Sequence, residues 1–183
     1  MSINPYFWVR MMANKNKIFV IGFMGSGKTT LGKKLAKKLE KPFFDLDQVI
    51  ENSEKRSINQ IFEQFGEAHF RELETKTLQS LILEHTNFVL SLGGGTPCNQ
   101  INMDLINESG TSIYLNYKAG MLASRLIGAK AERPMIKTLD KDQLKDFITT
   151  KLIEREPFYS QAQLVIESTN VHVDDLLEMI EKN

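Results

Sequence analysis

The chain has 183 residues, with 23 basic and 23 acidic side chains and a formal net charge of zero. That balance excludes a bulk polyanion binder, whose affinity would come from a basic excess displacing counterions. With 42% hydrophobic and 25% charged residues, and no apolar run near the roughly 18 residues of a membrane span, the sequence reads as one globular domain around a single core.

Residues 1–16 carry an apolar patch at Phe7, Trp8 and Val9 that is too short for a signal-peptide core, and no small-residue cleavage site follows. They read as a disordered tail or, given Met11 and Met12, as an overlong start, and the domain is expected from residue 17 to 183. Five short apolar runs then read as strands: Lys17–Gly22, Phe43–Asp47, Phe88–Leu92, Ser112–Tyr117 and Gln163–Ser168. The first and third are nearly continuous apolar segments, as in strands buried on both faces of a parallel sheet. Amphipathic stretches alternate with them: Lys28–Glu40, Glu67–His85, Gln100–Glu108, Asp140–Tyr159 and Val173–Lys182. This alternation predicts an α/β fold of βαβ units with helices on both faces of the sheet. Residues 127–138 (IGAKAERPMIKT) show no sustained period and read as a mobile loop. The first 41 residues hold nine basic side chains and one acidic one, which a solvated helix face explains.

Gly22-Phe23-Met24-Gly25-Ser26-Gly27-Lys28-Thr29 matches the phosphate-loop pattern G-x-x-x-x-G-K-[ST], with a strand before it and a helix after it. Backbone N–H groups can close around phosphate oxygens only where no Cβ intervenes, and the helix adds its dipole and its unpaired N–H groups. Gly25, Ser26, Gly27, Lys28, Thr29 and Thr30 form the expected ATP-binding set, with Lys28 on the β- and γ-phosphates and the Thr29 hydroxyl on Mg²⁺. A guanine-reading N-K-x-D motif is absent after the loop, since Asn14-Lys15 and Asn16-Lys17 both precede it. A motor would need more chain. A small-molecule kinase is therefore favoured, with a non-catalytic ATP-binding module as the rival from another class.

Ligands of open α/β sheets sit at the carboxyl ends of the strands. Asp45-Leu46-Asp47 ends the second strand, where alternate spacing would put both carboxylates on one side of an extended chain. Two helix-capping aspartates are the alternative. Gly93-Gly94-Gly95 follows the third strand and permits close backbone approach to a ligand. That strand supplies Ser91 where many phosphate-loop enzymes have a magnesium-associated Asp, so Asp45 is the candidate for the metal shell and Asp47 for the acceptor hydroxyl. Arg71 and Arg155, each taken alone, read as salt-bridge partners of Glu74, Glu154 or Glu156, and Arg133 as a solvated charge. Cys98, the single cysteine, can form no internal disulfide, and no Cys/His cluster has metal-ligand spacing, which suits the reducing cytoplasm. His69, His85 and His172 show no partner pattern.

Taken in order, GFMGSGKTT, the DLD after strand two, Phe70-Arg71-x-x-Glu74, LGGG after strand three, Arg133-Pro134 and Arg155-Glu156-Pro157-x-Tyr159 resemble the shikimate kinase family over about residues 17–183. The resemblance implies a three-layer P-loop kinase fold with a five-stranded parallel sheet of order 2-3-1-4-5. It also implies an acceptor-binding lobe near 47–73 and a lid near 127–138. The implied reaction moves the γ-phosphate of ATP to the 3-hydroxyl of shikimate with Mg²⁺, in a cytoplasmic monomer with no nucleic-acid or membrane partner. Asp47, Arg71, Gly94, Gly95 and Arg155 match the shikimate-binding positions, and Lys28, Asp47 and Arg133 the catalytic ones. Arg133 matches the lid arginine over the transferring phosphate and Arg125 an arginine stacked on adenine, and Thr29 and Asp45 would serve the metal. The late adenine-contacting loop should fall near Ser168–His172, where no signature is present. Two planar guanidiniums suit a carboxylate. The rival acceptors within the same fold are gluconate and a nucleoside monophosphate.

Overall fold

Six consecutive buried residues, Lys17–Gly22, form the central strand β1, and the rest of the sheet is built outward from it. The structure is a computed structural model and describes residues 16–128, 139–168 and 172–182. In chain order the remaining strands are β2 (Phe43–Asp45), β3 (Phe88–Ser91), β4 (Thr111–Leu115) and β5 (Leu164–Ile166). All pair in parallel in the order β2-β3-β1-β4-β5, as expected. The helices of the described residues are α1 (Lys28–Lys38), α2 (Leu46–Glu54), α3 (Ile58–Glu84), α4 (Gln100–Ser109), α5 (Ala119–Gly128), α6 (Lys141–Tyr159) and α7 (Val173–Lys182).

Because successive residues of β1 face opposite ways, the strand feeds two cores. Ile18 and Val20 pack with Leu35 and Ala36 of α1, Leu122 and Leu126 of α5, Leu144 and Ile148 of α6, and Leu176 and Ile180 of α7. Phe19 and Ile21 face the other side, against Leu46 and Ile50 of α2, Phe70 and Leu78 of α3, Met103 and Ile106 of α4, and Tyr159. Helices therefore cover both sheet faces, and the strand ends are left to carry chemistry.

Three departures from the sequence expectation bear on the site. Strand β2 stops at Asp45, so Asp47 lies in the first turn of α2 and not on an extended chain. The i, i+4 pair Leu46 and Ile50, both buried, draws this segment into a helix against the second core. Helix α3 starts earlier than expected, at a capping box of Ser57 and Gln60, and is interrupted at Gly66 (φ 80°, ψ 174°). Only the part after the kink, beginning at Glu67, corresponds to the expected helix. Helix α5 falls where no helix is expected, its buried face made by Leu122, Ala123 and Leu126. Of the expected lid, residues 129–138, including Arg133, lie outside the described residues, as do 1–15 of the tail and 169–171 of the late loop.

Candidate active site

The phosphate loop links β1 to α1 through glycines in the left-handed region at Gly25 (φ 79°) and Gly27 (φ 94°). Gly27 is also the N-cap of α1. It offers no side-chain cap, and the first turn holds no acidic residue, so the helix N–H groups are left for an anion. Lys28 Nζ folds back to donate to the Phe23 carbonyl at 3.0 Å. Thr29 Oγ1 donates to Asp45 Oδ2 at 2.8 Å and lies 3.4 Å from Ser91 Oγ. The phosphate loop and the ends of β2 and β3 therefore meet at one point. Asp45 is the N-cap of α2 but makes no side-chain capping bond, so its carboxylate is engaged by Thr29 and not by the helix. Lys28, Thr29, Asp45, Asp47, Gly93 and Gly94 share one cleft there.

A second cleft, lined by Gly25, Ser26, Gly27, Thr30, Tyr117 and Arg125, opens on the other side of the loop. Arg125 donates from Nη1 to the Ser26 carbonyl at 3.1 Å, and its guanidinium lies 5.1 Å from the Tyr117 ring centre. The Tyr117 hydroxyl in turn donates to the Ser168 carbonyl at 3.2 Å.

The tri-glycine segment after β3 is where the acceptor-side residues gather. A Cβ placed on Gly93 would lie 2.9 Å from Asp47 Oδ1 and about as close to Glu74 Oε1 and Thr96 Oγ1, and one on Gly95 would collide with the Arg71 guanidinium. Side chains occupy the space that the glycines vacate. Asp47 is held well above the ordinary carboxylate range, up to about 6. Burial is the main cause and the neighbouring Asp45 and Glu74 charges add to it, while Lys28 opposes them.

The two arginines differ. Arg71 is held by two carboxylates: Nη1 donates to Glu74 Oε2 at 2.6 Å, and Nε and Nη2 donate to Glu67 Oε1 at 3.2 and 2.8 Å. Arg155 pairs with neither Glu154 nor Glu156. Its Nη1 donates to the Gly94 carbonyl at 3.1 Å and to the Tyr159 hydroxyl at 3.4 Å, and its guanidinium lies 5.1 Å from the Phe23 ring centre. The salt-bridge reading thus holds for Arg71 and fails for Arg155. Both line a cleft of about 480 Å³ with Glu67, Gly95, Thr96 and Lys151.

Three residues of this constellation, Tyr159, Ser91 and Glu67, have no functional role expected from sequence, and Glu74 is expected only as a salt-bridge partner of Arg71. Glu74, 1% exposed, ties Arg71 to Thr96, whose hydroxyl donates to Glu74 Oε1 at 2.5 Å. Buried Tyr159 donates to the Gly94 carbonyl at 2.5 Å. Ser91 adds a hydroxyl beside Thr29, and Glu67 occupies Arg71. The i, i+3 and i, i+4 spacings of Glu74 and Glu67 from Arg71 were the available signals. Cys98 packs against the end of the glycine segment, its Sγ 3.7 Å from the Gly94 carbonyl, and burial pushes its thiol up.

The family model described as "Shikimate kinase" matches residues 24–182. A shikimate kinase of Azobacteroides pseudotrichonymphae is 45% identical over 162 residues, 88% of this chain and 95% of its own. The crystal structure of shikimate kinase from Bacteroides thetaiotaomicron is 41% identical, with a TM-score of 0.85 over 90% of this chain and 98% of that one. Shikimate kinase from Acinetobacter baumannii in complex with shikimate is 30% identical, with a TM-score of 0.78 over 95% of each chain.

Proposed function

The chain belongs to the shikimate kinase family, and on that premise we propose how its own residues carry out the reaction. The activity is ATP-dependent phosphorylation of shikimate at the 3-hydroxyl, yielding shikimate 3-phosphate and ADP. The observation that carries the assignment of roles is the grouping of Asp47, Arg71 and Arg155 around Gly93–Gly95, one strand end away from the phosphate loop.

Arg71 and Arg155 bind the acceptor's carboxylate, and the backbone of Gly94 and Gly95 lies alongside the ring. Asp47 accepts a hydrogen bond from the 3-hydroxyl, orients it toward the γ-phosphate and takes its proton as the new bond forms. Phosphoryl transfer passes through a loose transition state, so positioning and neutralisation of charge dominate. Gly25, Ser26, Gly27 and Thr30 hold the phosphates, Lys28 neutralises the charge that spreads over their oxygens, and Arg125 lies along the nucleotide. Arg133 is assigned to the same charge neutralisation from the lid. The segment from Asp47 to Leu73 serves as the acceptor-binding lobe.

The Thr29 hydroxyl and the Asp45 carboxylate fit Mg²⁺, since they form an all-oxygen pair within 2.8 Å at the mouth of the phosphate loop. Among the described residues no group of three or more His, Cys, Asp or Glu side chains is placed to hold a metal ion, so phosphate and water would complete the shell. When bound, Mg²⁺ supplies charge compensation on the phosphate oxygens. No helix among the described residues is long and apolar enough to cross a membrane. A reducing cytoplasmic setting accords with the single, half-buried cysteine.

ADP release measured against shikimate, gluconate and nucleoside monophosphates tests the acceptor, with turnover expected for shikimate alone. Arg155→Lys is expected to raise KM for shikimate by about 10- to 100-fold, because a bidentate, charge-assisted contact is lost. The KM for ATP should stay near that of the parent. A shikimate KM unchanged by Arg155→Lys would remove the residue from the acceptor site.

A further inference from the structure

Each nitrogen of Arg71 already donates to a carboxylate, and of its five N–H groups only one on each Nη is uncommitted. Its Nη1 is held by Glu74, and its Nε–Nη2 edge, the fork that reads a carboxylate through two parallel bonds, is held by Glu67. We propose that Glu67 is an internal competitor for the acceptor's carboxylate: shikimate engages Arg71 by displacing the Glu67 carboxylate from the Nε–Nη2 edge, so Glu67 sets the affinity of the acceptor site. The inference rests on the reading of Arg71 as a carboxylate binder.

Of the two glutamates, only Glu67 can leave at little cost. Glu74 is 1% exposed and is also bound by Thr96, so detaching it would strand a buried charge. Glu67 is 67% exposed in its pair with Arg71, where water can take over its hydrogen bonds, and such exposed pairs contribute little. It follows directly on Gly66, where the helix is broken and a Cβ would meet nothing within 4 Å, and it lines the same cleft as Arg71 and Arg155. Arg155, by contrast, carries no carboxylate among the described residues. An incoming acid therefore meets Arg155 first and gains Arg71 in exchange for Glu67. Glu67 thus keeps Arg71 paired while the site is empty and leaves a ligand without a carboxylate unable to recruit it.

The test is Glu67→Gln in the full chain. Removing the competing charge is expected to lower KM and the calorimetric Kd for shikimate by about two- to fivefold, with kcat and the KM for ATP near the parent's. Shikimate methyl ester, which carries no carboxylate charge, should show no such gain. An unchanged or higher KM would mean that Glu67 props Arg71 in place, and an equal gain with the ester would mean that no carboxylate exchange occurs. Either result overturns the proposal while leaving Arg71 as a binder. Arg71→Gln, measured in parallel, separates the two levels. A raised shikimate KM upholds the reading of Arg71 on which the inference rests, and a normal one overturns that reading and the inference together.

Discussion

Asp47→Asn is expected to lower kcat by about 10²- to 10⁴-fold, the usual worth of a positioned general base, while making the folded protein more stable. Both effects come from the same burial. The folded-state carboxyl titrates near 6, above its ordinary 3.8, because it is desolvated beside Asp45 and Glu74. Below the ordinary value the group is protonated in both the folded and the unfolded chain and costs nothing. As pH rises through that value the unfolded chain releases its proton first, and above about 6 the folded protein carries the full penalty of a buried, crowded charge. Converted at 1.36 kcal/mol per unit of pKa, that penalty has an upper limit of about 3 kcal/mol. Asn removes it. Thermal unfolding at pH 8 should therefore give a Tm several degrees above the parent's, and the gap should close as pH falls toward about 4. In the parent, kcat/KM should rise with pH through about 6 as the base loses its proton. Near-normal turnover by the Asn variant would end the base assignment, and a Tm gap independent of pH would contradict the electrostatic account of its burial.

How much of this site could be read from sequence depends on whether each feature is local. The phosphate loop is written in eight consecutive residues and needs only a strand before it and a helix after it, both of which are present. Asp45 and Asp47 were identifiable as a pair, but their geometry was not. Whether Leu46 continues β2 or opens α2 is decided by the core that buries Leu46 and Ile50, and FFDLD alone contains no trace of that core. The two arginines differ in what local spacing shows. It pairs Arg71 with glutamates three and four residues away and does so correctly, whereas Glu154 and Glu156 are immediate neighbours of Arg155 and do not face it on a helix. The contacts that claim Arg155 come from Gly94, 61 positions back in the chain, and from Phe23. Helix α5 was missed because its charged and glycine-bearing end merges with the aperiodic stretch that follows, although Leu122 and Leu126 already stand one helical turn apart.

Removing the phosphate-loop lysine is expected to act on the other half of the reaction. Lys28→Ala should lower kcat by about 10²- to 10³-fold, the cost typical of deleting one preorganised charge-stabilising donor, and should raise the KM for ATP as well. Lys28 has two further ties. Its Nζ reaches the Phe23 carbonyl at 3.0 Å, inside its own loop, and its charge is what draws Asp47 down against burial and the neighbouring carboxylates. If the lysine only braced the loop, Lys28→Ala would weaken ATP binding while saturating ATP restored kcat. If it stabilises charge during transfer, kcat stays low at any ATP concentration. The second tie gives an independent readout. Without the Lys28 charge, the Asp47 carboxyl should move further up, so the acid limb of the residual kcat/KM profile should shift to higher pH than in the parent. Binding of shikimate in the absence of nucleotide should change far less than that of ATP, since the guanidiniums of Arg71 and Arg155 are held by Glu67, Glu74 and the Gly94 carbonyl. A low kcat with an unshifted acid limb would place Lys28 on the phosphates but uncouple it from Asp47.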